Sequence, residues 1–301
     1  GMNSIRRRYS DAEMTSKKIR SHAQYDCLKA NGGQIQVFEL QGPIFFGSAD
    51  KLARAVEAGA RQASFCILDL NRVTEIDSTG AVILIRLYKR FVGSGRHLLL
   101  THIKDGRSMR DFLTVSGVLS DIDEQHLFHD TDGALEWAEE SIIAQHCHQS
   151  VRKRYRLREL EVLAGFSAAE LDLFKRFLDF RTYNKGAAII SEGQNERDML
   201  MMTHGLVSVC LQLPNSERRK RLFTFSCGAI IGEMALLDGQ PRSADVWADE
   251  DSEFYRLTFE GFERLRGDHP QIALKFVANI ALVISQRLRV RSQEVRMLAD
   301  G

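Results

Sequence analysis

Two hydrophobic rhythms share this chain of 301 residues, and the change from one to the other just after Ile143 limits what it can fold into. Before that point, strand-length apolar runs alternate with segments of helical period. "QIQVFELQG" at 34–42 alternates as a strand does. "SADKLARAVEAGA" behind it sets Leu52, Ala53, Val56 and Ala60 at helical spacing, with Ser48 placed to cap the helix. "SFCILDL" at 64–70 is a continuous apolar run, as expected of a strand buried on both faces. "AVILIRLYKRFVGSG" reads as a helix stopped by Gly93 and Gly95, and "RHLLLTHI" at 96–103 as a strand. "SMRDFLTVSG" reads as a short helix ending near Gly117, and "HLFHDTDGALEWAEESII" as a short strand followed by a helix capped by Asp130 or Thr131. Strands alternating with helices predict a small α/β domain, a mixed sheet with flanking helices.

After Ile143 the pattern changes. "SVRKRYRLREL" carries five basic residues between 152 and 158 and reads as a linker or lead-in helix, and "SAAELDLFKRFL" as a capped helix. From 181 to 258, short strands alternate with glycine corners at Gly186, Gly193, Gly205, Gly228 and Gly239, the pattern of a β-barrel or jelly roll. "HPQIALKFVANIALVISQRLRVRSQEVRML" closes the chain as one long helix, with Pro270 in its first turn. The stripe Phe276, Ile280, Ile284 and Leu288 on that helix predicts core or dimer packing. The expected organisation is a basic leader over 1–33, an α/β domain over 34–146, a basic linker over 147–160 and a β jelly-roll domain with a long C-terminal helix over 161–301. In the leader, Arg6, Arg7, Arg8, Lys17, Lys18 and Arg20 outnumber Asp11 and Glu13, so it is expected to bury little and to wrap or link to a neighbour.

Composition narrows the class of function. Hydrophobic residues make up 44% and charged residues 27%, as in a soluble globular protein, and the formal net charge of +1 gives no basic field for nucleic acid. The five cysteines, Cys27, Cys66, Cys147, Cys210 and Cys227, form no CxxC pair. That argues against a zinc site or a disulfide framework and fits a reducing cytosol. "HCH" at 146–148 lacks a partner cluster and reads as solvated linker, so no metal is expected. "SERRKRLF" at 216–223 reads as a solvated basic hairpin tip. No run approaches the length of a membrane span and no signal-peptide pattern is present. Gly1 ahead of Met2 reads as an addition, and the natural protein is expected to extend upstream. No nucleophile–base pair or GxxxxGK[ST] pattern is found, so an enzyme is not expected.

Two motifs carry the functional reading. "EIDSTGAV", Glu75 to Val82, lies where a strand turns into the start of a helix, so Ser78 and Thr79 sit among converging backbone N–H groups. Ser78 or Thr79 reads as the N-cap, and Ser78 as a candidate phosphorylation site oriented by Asp77. With "VFELQGPIFFGSADKL", "CILDLNRVTEIDSTGAVIL" and "GRHLLLTHI" in that order, this part of the chain resembles the STAS domain of sulfate transporters and anti-sigma factor antagonists. The resemblance implies a regulatory, protein-binding domain. In the antagonists the serine after the aspartate, Ser78 here, is phosphorylated by a kinase. "ELQGPIFFGSADKL", "DTDGALEW" and the "IRRRYS" leader look more like the SulP transporter branch.

The second motif is "GEMALLDGQPRSADV", Gly232 to Val246. A cyclic nucleotide offers one negative phosphate, a ribose 2′-OH and a flat base. The phosphate needs backbone N–H groups and one fork-shaped cation, which Arg242 supplies, with Ser243 adding a hydroxyl and Ala244 small enough for close backbone approach. Gly232 permits close approach on the other side, and Glu233 offers an acceptor for the 2′-OH. Glu233 and Arg242 also read as a plain structural ion pair. "FSCGAIIGEMALLDGQPRSADVWA", with "YNKGAAIISEGQNERDMLMMTHGLVSVCL" upstream, resembles the phosphate-binding cassette of cyclic nucleotide-binding domains. The resemblance implies that Gly232 and Glu233 meet the ribose, that Arg242, Ser243 and Ala244 hold the phosphate, and that the helix after Pro270 caps the base, a helix that in the family often dimerises, which makes a homodimer through 270–298 a candidate. It implies a cyclic nucleotide ligand, with cAMP expected ahead of cGMP.

The combined expectation is a non-catalytic cytosolic module that senses a cyclic nucleotide and couples it through a STAS domain to an upstream SulP-type anion transporter, tethered at the inner membrane face. The alternatives are a free-standing antagonist-like switch gated by nucleotide and Ser78 phosphorylation, or the regulatory tail of another catalytic domain such as a glutaminase. A transcription factor is not expected, because no helix-turn-helix follows the long helix.

Overall fold

In a computed structural model, which describes residues 4–103, 113–114, 117, 119–147, 154–214 and 219–299, the basic leader is built into the fold. It forms β1 (Ile5–Ser10), β2 (Lys18–Ile19) and α1 (His22–Ala30). Then come β3 (Ile35–Ile44), α2 (Phe46–Gly59), β4 (Phe65–Ile76), α3 (Ser78–Gly93), β5 (His97–Thr101), β6 (Leu127–Phe128) and α4 (Thr131–His146). The remaining elements are α5 (Ala168–Lys175), β7 (Leu178–Tyr183), β8 (Ala188–Ile190), β9 (Met199–His204), β10 (Leu206–Gln212), β11 (Arg219–Ser226), β12 (Ile230–Ile231), α6 (Glu233–Asp238), β13 (Asp245–Ala248), β14 (Ser252–Leu257), α7 (Phe259–Asp268) and α8 (Pro270–Ala299). They group into two units. One holds Gly1–Ser16, Asp26–His148 and Gln293–Gly301; the other holds Lys17–Tyr25 and Gln149–Ser292.

The first unit is an α/β sandwich on a sheet ordered β1-β3-β4-β5-β6. The β3, β4, β5 and β6 neighbours are parallel, and β1 is antiparallel to β3. Strand alternation explains the continuous apolar runs. Phe38, Leu40, Cys66, Leu68, Leu98 and Leu100 join α2 and α3 in one core. Ile35, Val37, Phe65, Ile67 and Leu99 join α4 in another, so both faces are covered.

The leader expectation is corrected here. β1 is an edge strand whose Tyr9 is buried, while Arg6 pairs with Glu39 at 2.7 Å and Arg8 donates to Gln36 and to the Gly59 carbonyl. Charge on the outer side of an edge strand is compatible with burial of the inner side. The cap expectations shift as well. Phe45, not Ser48, precedes α2, and Ser48 Oγ instead accepts from Phe45 N at 2.9 Å. Asp77, rather than Ser78 or Thr79, caps α3, its carboxylate accepting from Gly80 N at 2.6 Å. Asp130 caps α4 as expected. The reading of five unbridged cysteines is also corrected: Cys27 and Cys147, 120 positions apart, are disulfide-bonded because α1 and the end of α4 bring their Cα atoms to 6.2 Å. Most of the helix expected over 108–117 lies outside the described residues.

The second unit is a β jelly roll of two sheets, ordered β2-β11-β10-β13-β8 and β12-β9-β14-β7. Ile190, Leu200, Met202, Val207, Phe225, Ile231, Val246 and Phe254 fill the space between them. A second cluster packs α5, α7 and α8 against Met199, Met201 and Leu257. The described part of the expected linker folds onto this unit: Tyr155 N donates to Thr203 O at 2.8 Å, and Leu160 is buried. Of the basic stretch at 216–223, residues 216–218 lie outside the described residues, and β11 carries the rest as strand. By length and apolar content α8 is the one described helix that meets the criterion for a membrane span. Its Ile272, Ala273, Phe276 and Ile280 fill the core of this unit instead. Ile284 is partly buried on the same face, and Leu288, the last residue of the predicted stripe, is exposed at the edge of a cavity.

Candidate functional site

The turn between β12 and β13 builds the site. Gly232 ends β12 with φ +83°, a left-handed conformation that L side chains avoid, and α6 starts at Glu233. A Cβ at Gly232 would stand 2.4 Å from Arg242 Nη1 and 2.7 Å from the Asp198 carbonyl. The glycine is therefore required by both its backbone angle and the arginine beside it. Gly239, also left-handed, ends α6 by donating to Ala235 O at 3.0 Å, and Gln240 and Pro241 turn the chain back.

Arg242 is thereby held inside the roll. Its backbone N donates to Gln194 O and its carbonyl accepts from Gly193 N, both at 2.8 Å. Its Nη2 donates to Asp198 O at 2.6 Å and its Nη1 to Gly232 O at 3.3 Å, leaving Nε buried without a hydrogen-bond partner among the described residues. Burial pulls this guanidinium below its ordinary pKa, while Asp198, Glu196 and Glu233 act the other way. A desolvated cation with an unused donor is suited to an anion. Ser243 is exposed and Ala244 is buried.

Glu233 does not bond to Arg242, so the plain ion pair between them is not formed. The carboxylate instead meets Arg287 of α8, Oε1 to Nη1 at 2.9 Å, with both side chains largely buried. Arg287 Nη2 also donates to Ile230 O at 2.9 Å, and its guanidinium lies over the Phe225 ring at 4.8 Å. One turn further on, Arg291 lies over Phe223 at 4.7 Å. These walls enclose a cavity of about 370 Å³ that Gly232, Glu233, Arg242, Ser243 and Ala244 all line. That volume is within the range of small-molecule sites. Three arginines against Glu233 and Asp238 leave its lining net positive.

All five cassette residues predicted from sequence thus border one space, whereas Ser78 belongs to the other unit, exposed at the first position of α3. Arg287, Arg291, Phe223 and Phe225 were not predicted as site residues. A signal for Arg287 was present: it falls three positions after Ile284 on the apolar face of α8. Among the described residues no group of three or more metal-ligating side chains occurs.

Comparison with known proteins matches this geometry. Residues 29–134 match the STAS domain and residues 180–269 the cyclic nucleotide-binding domain. The chain is a STAS domain followed by a cyclic nucleotide-binding jelly roll with a C-terminal helix. Over 99% of its length it is 28% identical to glutaminase 1 of Bradyrhizobium diazoefficiens, of which it spans 47%. Over 52% of its length it is 28% identical to the vacuolar basic amino acid transporter VSB1 of Saccharomyces cerevisiae, of which it spans 16%. Over 45% of its length it is 30% identical to the cyclic AMP receptor protein of Thermus thermophilus, spanning 60% of that protein. The chain spans about half the length of the glutaminase it matches end to end.

Proposed function

We propose that this chain is a non-catalytic regulatory module in which a cyclic nucleotide, cAMP ahead of cGMP, is captured between Gly232–Glu233 and Arg242–Ala244, and in which the STAS unit passes the signal to a protein partner. The observation that carries this reading is Arg242, buried in a net-positive cavity with its Nε lacking a hydrogen-bond partner among the described residues. The likeness to a cyclic AMP receptor protein supports cAMP. Ser78, exposed at the start of α3, is the candidate phosphorylation site on the STAS unit.

The match to a glutaminase across both domains supports a regulatory segment attached to a hydrolase of that kind. The match to a vacuolar basic amino acid transporter, over half the chain, supports the reading as a regulatory tail of a membrane transporter; that its cargo is an anion rests on the resemblance of the STAS part to the SulP branch. The coding sequence upstream of Met2 separates the two: a hydrolase domain fits the first, a set of apolar spans the second. A second copy of the chain is a further proposed partner, since Leu274, Leu288 and Val295 are exposed on a seven-residue register of α8. Thermal unfolding of the full chain with cAMP, cGMP and non-cyclic AMP tests the nucleotide reading. The reading predicts a rise in melting temperature with a cyclic nucleotide and little with AMP. No rise with either cyclic nucleotide at millimolar concentration contradicts it.

A further inference from the structure

We infer that the leader segment Lys17–Tyr25 is a working part of the nucleotide site, forming one wall of the cavity and carrying its occupancy along the chain to α4. The inference rests on the nucleotide reading above. Neither family match includes this segment, since they cover 29–134 and 180–269. Yet it groups with the nucleotide-binding unit.

The segment is woven into that unit. β2 adds to β11 in parallel, Lys18 opposite Thr224 and Ile19 opposite Phe225. Ile19 is 7% exposed and packs in the apolar cluster of Phe225, Ile231 and Val246. It lines the same cavity as Glu233 and Arg242, and with Arg287 it also lines a neighbouring cavity of about 230 Å³. The Lys17 carbonyl accepts from Thr224 N at 3.2 Å and from Arg291 Nη2 at 3.3 Å, so one oxygen ties the leader, β11 and α8 together. Further along, His22 N donates to Glu161 Oε1 at 3.1 Å, and the ring Nδ1 lies 2.5 Å from the same oxygen. A ligand large enough to fill the cavity meets Ile19 as directly as it meets the cassette.

Both ends of the segment lead to a single helix. Ser16, fully buried just before it, donates from N and Oγ to the two carboxylate oxygens of Glu139 on α4, each at 2.6 Å. Cys27, just after it, is bonded to Cys147 at the end of α4. The two residues that flank the segment in sequence are thus both held on α4, Ser16 by hydrogen bonds and Cys27 by the disulfide. A ligand that favours one position of Ile19 over another biases a segment tied at both ends, and a shift in occupancy follows from that difference in affinity.

The test is calorimetric titration of the full chain with cAMP and with cGMP, for the wild type, Ile19→Val and Ile19→Ala, with amide hydrogen exchange recorded on the same samples. Loss of one buried methylene predicts weakening by roughly fourfold in Ile19→Val, with a larger loss in Ile19→Ala. Ile19→Val keeps a β-branched apolar residue in the strand, so its folding is checked by an unchanged ligand-free melting curve. In the wild type, saturating nucleotide is expected to alter exchange over 131–147 as well as 232–244; in Ile19→Ala at saturation, only 232–244 responds. Ile19 variants that bind within twofold of wild type, or a wild type whose 131–147 segment ignores bound nucleotide, overturn the inference while leaving the nucleotide reading intact. A wild type that binds neither nucleotide overturns both.

Discussion

Arg287 Nη1 lies 2.9 Å from Glu233 Oε1, so the carboxylate expected to receive a ribose hydroxyl is also engaged by the C-terminal helix. Arg287 is largely buried, and burial pulls its pKa below the ordinary arginine value while Glu233 acts against that shift. The pair therefore joins the cassette to α8 at a point where water is largely excluded. Removing one partner strands the other charge. Arg287→Ala is expected to destabilise the nucleotide-binding unit by about 3 kcal/mol. Arg287→Ala combined with Glu233→Gln is expected to cost less than the sum of the two single changes. Urea unfolding of the four proteins of that cycle measures both quantities, and additive losses would mean that the ion pair contributes nothing of its own.

Gly232 is where backbone and site depend on the same atom. Its φ of +83° and the 2.4 Å that would separate an added Cβ from Arg242 Nη1 leave no room for alanine. Gly232→Ala is expected to lower stability by about 1–3 kcal/mol through backbone strain. It is also expected to displace Arg242 and weaken nucleotide binding by more than about tenfold, one decade being 1.4 kcal/mol. Titration calorimetry and a melting curve on the one variant check both.

In the STAS unit, capping and modification fall on adjacent residues. Asp77 caps α3 through Gly80 N, so Asp77→Ala is expected to cost about 1 kcal/mol. Ser78 is exposed at the next position, and Ser78→Ala is expected to change stability by less than about 0.5 kcal/mol. Chemical unfolding of the two variants distinguishes them. Equal losses would mean that Ser78 is structural and is a poor candidate for a switch.

A pH dependence is expected from His126, which is buried, and the half-buried His97 beside it. Their ring nitrogens lie 3.0 Å apart, and His126 Nδ1 is 2.7 Å from the Tyr88 hydroxyl. Burial lowers both pKa values; His97 lowers that of His126 further, and Asp123 opposes this. The unfolded chain therefore binds more protons than the folded one once the pH drops below the ordinary histidine value of 6.5. Stability is full above that pH and falls as the pH is lowered through it toward the depressed folded values. Melting temperatures between pH 7.5 and 5.0, about the span over which histidines titrate, should show a slope that His126→Gln reduces. An unchanged slope would place the acid sensitivity elsewhere.

Much of the fold was legible because its signals are local. The apolar run over 65–70 and the helical faces of α2 and α3 depend on neighbours a few positions away. The five cassette residues were found together because Gly232 through Ala244 are one continuous stretch of chain, folded as α6 and the turn that follows it. What stayed hidden was set by distant contacts. The leader's basic residues concealed Tyr9 and Ile19, whose burial depends on β3 and β11. Glu233's true partner lies 54 positions away on α8, and Cys27 meets Cys147 across 120. Ser48 misled for a different reason. A serine three residues into a helix bonds backward to the chain before it, so it marks the helix start without being its cap.

The most direct test of the account is calorimetric titration of the full chain with cAMP and cGMP beside Arg242→Ala. Truncating one side of a desolvated charge pair costs about 2–5 kcal/mol, so the account predicts micromolar binding by the wild type that weakens by at least roughly thirtyfold in the variant. Equal affinity in the two proteins, or no binding heat from the wild type with either nucleotide, would contradict it.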